Sequence, residues 1–92
     1  MGIYDQFQVQ RLAIGTFIRR ELEALQVPRD TVHEIVAKFK NIVNAYSKFA
    51  ELEKGSPYTF GDYTVRVDGA CDFAYLMVYK GDEYLVTLEI ES

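Results

Sequence analysis

The chain has 92 residues and a mass of 10.6 kDa, with 49% apolar and 26% charged side chains. That length holds one domain over 1–92, and that balance excludes a disordered or low-complexity chain. Ten basic against fourteen acidic residues leave a net charge of −4, and no apolar run reaches the ~18–20 residues that cross a bilayer.

The first twenty residues hold Asp5, three glutamines and three arginines, which is not the pattern of a secretory leader. A lone Cys71 permits no internal disulfide. Together these predict a cytoplasmic protein without membrane contact.

Helical periodicity runs through residues 3–54, the helical half of the chain. Ile3, Phe7, Ile14, Ile18, Leu22 and Leu25 fall on one stripe and predict a helix over about Tyr4–Gln26. Val9 and Leu12 lie away from that stripe, among polar residues, and form a small second patch. Gly15 falls mid-helix, which implies a kink or the close approach of another backbone. Pro28 ends the pattern, because its ring pushes Val27 out of the helical region.

A second helix is expected from Asp30 or Thr31 to about Lys54. Thr31 and Glu34 have the spacing of a capping box. Val32, Ile35, Val36, Phe39, Ile42, Val43, Tyr46, Phe49 and Ala50 follow at steps of three and four. Gly55 and Pro57 stop the helix. The short link around Pro28 makes the two helices an antiparallel hairpin.

Three strands are expected near 59–67, 71–80 and 83–91, joined by turns at Asp68-Gly69 and Gly81-Asp82. The fold class is therefore α+β: an antiparallel helical hairpin on one face of a three-stranded antiparallel β-meander, in the order ααβββ. A three-residue first turn gives one uniformly apolar face, with Tyr63, Val65, Cys71, Phe73, Tyr75, Met77, Tyr79, Tyr84, Val86, Leu88 and Ile90. A strict two-residue turn would instead group Tyr63 and Val65 with Ala74 and Leu76. With the first choice, Ala74, Leu76, Val78 and Leu85 form an apolar island on the uncovered face.

The sequence has no phosphate loop, no Gly-x-Ser-x-Gly and no Cys-x-x-Cys. His33 is the sole histidine and lies in the first turn of a helix, so it reads as a solvated residue. One His and one Cys are poor material for zinc. No catalytic residue, metal ligand or cofactor is expected, and the chain reads as a non-enzyme.

Charge is placed unevenly. Residues 1–54 carry eight basic and seven acidic side chains, net +1, while 55–92 carry two and seven, net −5. The acids Asp72, Asp82, Glu83, Glu89 and Glu91 form a rim around the sheet. An acidic half repels phosphate, so nucleic acid is an unfavoured partner and a basic protein surface a favoured one. This profile is similar to that of small acidic inhibitors of phages and mobile elements, immunity proteins and DNA mimics; no family motif accompanies it.

The expected function is a protein-binding inhibitor or adaptor acting on a larger basic protein, with nucleic-acid-handling proteins among the candidates. Its expected interface is Ala74, Leu76, Val78 and Leu85 with the Val9–Leu12 patch, and a homodimer is the expected state. Two alternatives stand beside it: a structural homo-oligomer subunit, and a sheet whose tyrosines stack single-stranded nucleic acid.

Overall fold

Ile14, Ile18 and Leu22, spaced at i, i+4, do fold as a helix, but only over Ile14–Ala24 (α1). The computed structural model describes residues 7–10, 13–40, 46–69 and 73–91. Upstream of α1, Phe7–Val9 is a strand (β1), which corrects the helix expected from Tyr4. On a helix Phe7 and Val9 would lie about 200° apart; on a strand they share a face. This is why Val9 had no place on the helical stripe. Gly15 accordingly sits in the first turn of α1, where a Cβ would stand 3.5 Å from the Lys40 Cβ and 3.6 Å from Val36. These are ordinary contacts with side chains of α2, so neither a mid-helix kink nor a close backbone approach accounts for the glycine.

The end of α1 is a two-bond cap. The Val27 N–H donates to the Leu22 carbonyl at 3.1 Å, and the Gln26 N–H donates to Glu23 at 2.9 Å. Gln26 takes the left-handed conformation, φ 62°, that this cap requires. Val27 and Leu22 are both buried, supplying the apolar contact that usually closes the motif.

The second helix (α2, Arg29–Phe39) begins directly after Pro28, whose carbonyl accepts from Val32 at 2.9 Å. No side chain caps it. Thr31 is already inside the helix, so the expected capping box does not form. Of the single rod expected to Lys54, the described residues show the helical stretches Arg29–Phe39 and, as α3, Tyr46–Gly55. Residues 41–45 lie outside the described residues.

Four strands follow: β2 (Tyr58–Phe60), β3 (Tyr63–Gly69), β4 (Phe73–Lys80) and β5 (Glu83–Glu91). The protein is α+β, with a mixed five-stranded sheet ordered β1-β5-β4-β3-β2. Only β1, beside β5, runs parallel to its neighbour. The expected three-stranded meander is thus extended by an edge strand on each side.

Two Gly-Asp dipeptides make the tight turns. Gly61 (φ 64°) leads from β2 to β3 and Gly81 (φ 61°) from β4 to β5. A positive φ at the first central residue is the signature of the hairpin turn that puts glycine there. The Gly81 N–H donates to the Asp62 carbonyl at 3.0 Å, which ties the two turns together. Asp68 and Gly69 are not a turn; they pair with Tyr75 and Ala74 inside the sheet.

The register decides which face is covered. Lys80 pairs with Glu83 and Tyr79 with Tyr84, as expected, but Val78 then pairs with Val86, Leu76 with Leu88 and Ala74 with Ile90. Leu85 is the extra residue of a β-bulge between these pairs. The bulge puts Val86, Leu88 and Ile90 on the same face as Ala74, Leu76 and Val78. Val65 and Val67 join them through their pairs with Val78 and Leu76.

The core lies between this face and the helices. Ile18, Leu22, Ile35 and Phe39 from the helices and Val65, Leu76, Val78, Leu88 and Ile90 from the sheet are fully buried. Phe39 meets Tyr58 edge-on at 5.6 Å and Phe60 at 6.2 Å. The Tyr58 hydroxyl donates to the Leu52 carbonyl at 2.8 Å and so anchors α3 to β2. A Cβ on Gly55 would lie 2.5 Å from that hydroxyl, which explains glycine at the end of α3.

Candidate binding face of the sheet

The helices cover one face of the sheet and leave the other open. Side chains alternate along a strand, so the registers define the open face directly. From β4 it carries Phe73, Tyr75, Met77 and Tyr79, all half-buried. Opposite Tyr75 stand Asp68 of β3 and Glu89 of β5; opposite Met77 stand Arg66 and Thr87; opposite Tyr79 stand Thr64 and Tyr84. β1 adds Phe7 beside Thr87 and Val9 beside Glu89.

This reverses the expected assignment of the two faces. Ala74, Leu76 and Val78 are 0% exposed, so the proposed island is core and not interface. Leu85 is half-buried at the bulge and packs against that core. The rings expected inside are on the open face. The physical reason is twofold. The bulge slips β5 by one residue, and a register slip exchanges faces. The tyrosines also carry hydroxyls that water satisfies at no cost, whereas small and aliphatic Ala74, Leu76 and Val78 let the helices approach closely.

The rings form two groups. Phe7 and Tyr75 lie 6.0 Å apart and Phe73 and Tyr75 5.2 Å apart, in tilted and edge-on geometries. Tyr79 and Tyr84 pair at 5.6 Å. The Tyr84 hydroxyl bonds to the Thr87 hydroxyl, tying neighbouring positions of β5. The Arg66 guanidinium sits 5.9 Å from the centre of the Tyr79 ring. A shallow cleft of about 480 Å³ opens beside that pair, toward Thr59, Thr64 and Asp82. Phe7 and Val9, at 41% and 37% exposure, are among the most exposed large apolar side chains described.

Of the expected acidic rim, Asp82 and Glu83 are exposed at the second tight turn and Glu89 is on the open face, half-buried. Glu91 pairs with Phe73 through the backbone ladder. Leu12 and Asp72, like Cys71, lie outside the described residues. Val9 is exposed as expected, though on a strand. Sequence reasoning missed Phe7 and Asp68 as members of this face. The alternation of Phe73, Tyr75, Met77 and Tyr79 marked them as one set; only the side they face was misread.

The opposite side of the molecule differs in charge. Between α1 and α2 a cleft of about 490 Å³ is lined by Gly15, Arg19, His33 and Lys40, among others. Among the described residues no group of three His, Cys, Asp or Glu side chains is placed to hold a metal ion. No described helix is long and apolar enough to cross a membrane. No protein-family model, curated protein or solved structure matches the chain.

Proposed function

We propose that the chain is a non-enzymatic contact module, an inhibitor or adaptor, whose open sheet face docks on a basic surface of a larger protein. The observation that carries this reading is the uncovered row Phe73, Tyr75, Met77 and Tyr79, extended by Phe7 and Val9 and bordered by acids. Aromatic residues and Met are enriched at the centres of protein interfaces, with charge at the rim. The acids here steer encounter with a basic partner, and the rings supply the slow dissociation. Nucleic acid is disfavoured by the −5 balance of residues 55–92.

Capture from a cytoplasmic extract with Met77→Arg and Arg19→Glu tests this. A basic protein held by the parent chain and by Arg19→Glu, lost with Met77→Arg and released by high salt, supports the sheet face. A partner lost with Arg19→Glu alone belongs to the helical cleft and sinks the reading. A nucleic acid whose binding strengthens with Met77→Arg replaces it by base stacking.

The exposed edge strand favours a second reading, self-association. A two-fold pair built through β1 and the open face would hide Phe7 and Val9. Light scattering separates the two: a species of 10.6 kDa at high concentration leaves the face to a foreign partner, and one of twice that mass occupies it.

A further inference from the structure

The geometry points to one position on the open face, the Tyr75 ring between Asp68 and Glu89, as the seat of an arginine side chain of the partner. This rests on the reading of the sheet face as the contact surface for a basic protein.

Tyr75 is the only described tyrosine paired in register with a carboxylate on both sides: Asp68 from β3 and Glu89 from β5. Directly opposed residues have Cβ atoms roughly 4.5–5.5 Å apart, within reach of one bound head group. Phe73 and Phe7 contact the same ring at 5.2 and 6.0 Å, giving it apolar walls. Cations are attracted to ring faces, and a guanidinium in addition binds carboxylates in a planar fork.

The chain already uses this chemistry elsewhere. Lys38 lies over Tyr58 at 4.9 Å, Lys80 over Tyr63 at 5.9 Å and Arg66 over Tyr79 at 5.9 Å. Among the described residues no cation of the chain lies over Tyr75, and neither Asp68 nor Glu89 has an ion-pair partner. Arg66, the nearest described cation in register, is opposite Met77 and is drawn toward Tyr79. Ring, walls and two carboxylates are therefore assembled on one face, with no positive charge from the described residues between them. A partner's arginine supplies it, with the ring on one side and the two acids fixing its fork.

The test is an NMR titration of the ¹⁵N-labelled full chain with an arginine-rich octapeptide, beside lysine-rich and glutamate-rich octapeptides and a single-stranded oligonucleotide. The arginine peptide is expected to bind most tightly and to move the amides of Phe7, Asp68, Phe73, Tyr75 and Glu89. Tyr75→Leu and the double variant Asp68→Asn with Glu89→Gln should each weaken it at least about tenfold, while Tyr75→Phe, which keeps the ring, should bind like the parent. Unchanged amide spectra away from the face confirm that each variant folds. If the peptide moves open-face signals but Tyr75→Leu and the double variant bind normally, the seat is wrong and the contact face stands. Shifts confined to α1 and α2, or no binding, overturn both. Tighter binding of the oligonucleotide than of the arginine peptide also overturns the inference.

Discussion

Val78 pairs with Val86 across β4 and β5, while the next residue, Tyr79, pairs with Tyr84. The residue left over, Leu85, sets the identity of both faces. Were Leu85 paired in the ladder and not bulged out of it, Met77 would stand opposite Val86 and the aliphatic residues of β5 would lie on the wrong side.

Deleting Leu85 is therefore expected to preserve the fold. The pairs on either side of the bulge already have the register of a continuous ladder, so the hairpin becomes regular. The loss is confined to the partial burial of Leu85, about 1–2 kcal/mol. Deleting Thr87 also lets the bulge close, but with Leu85 opposite Val78 and Val86 opposite Met77. The core then loses Val86, at ~1.5–3 kcal/mol, and must admit the larger Leu85, at a further ~1–3 kcal/mol, while Leu88 and Ile90 keep their side. Urea unfolding of the two deletion variants distinguishes them.

Gln26→Gly is expected to stabilise the protein by about 0.5–1 kcal/mol. A non-glycine residue is strained at φ 62°, and glycine occupies that position of the cap freely. A rise in the thermal midpoint by several degrees is the expected reading for a chain of this size. No change would mean that the Gln26 side chain makes up for its backbone.

Phe39→Ala should cost ~3–5 kcal/mol, because the ring is 0% exposed and packs on Tyr58 and Phe60. The same truncation at Phe7, 41% exposed, should cost less than about 1 kcal/mol and instead weaken partner binding. Equal losses of stability at the two positions would contradict the division between core and open face.

Replacing Asp82 and Glu83 by Asn and Gln should slow association with a basic partner and flatten its dependence on salt, leaving dissociation nearly unchanged. Both are exposed at the tip of the β4–β5 hairpin, where charge acts on encounter more than on the docked state. Stopped-flow association at two ionic strengths measures this.

Much of the architecture is legible in the sequence. The 3.6-residue spacing from Ile14 to Phe39 identifies helices that do cover the sheet, and Gly81-Asp82 marks its turn. Gly61-Asp62 carries the same dipeptide signal, but it is embedded in a run of aromatic and β-branched residues that reads as one strand. β1 is harder still: three residues paired in parallel with the last strand of the chain owe their conformation to a distant partner. The site suffers most from the bulge. A single unpaired residue carries no strong local signature, yet it exchanges the roles of Leu76 and Met77. Asp82 and Glu83 need no register and lie at a turn as expected, whereas Glu89, expected to share a face with Leu76 and Val78, stands opposite Tyr75 on the other face.

Which face of β4 is open can be measured directly. In a chain with Cys71 replaced by Ser, Leu76→Cys and Met77→Cys are each exposed to a thiol-alkylating reagent under native conditions. The account predicts that Cys at 77 reacts nearly as fast as a free thiol, and that Cys at 76 reacts only through global unfolding, slower by orders of magnitude. Fast labelling at 76 with protection at 77 would contradict it and return the aromatic row to the core.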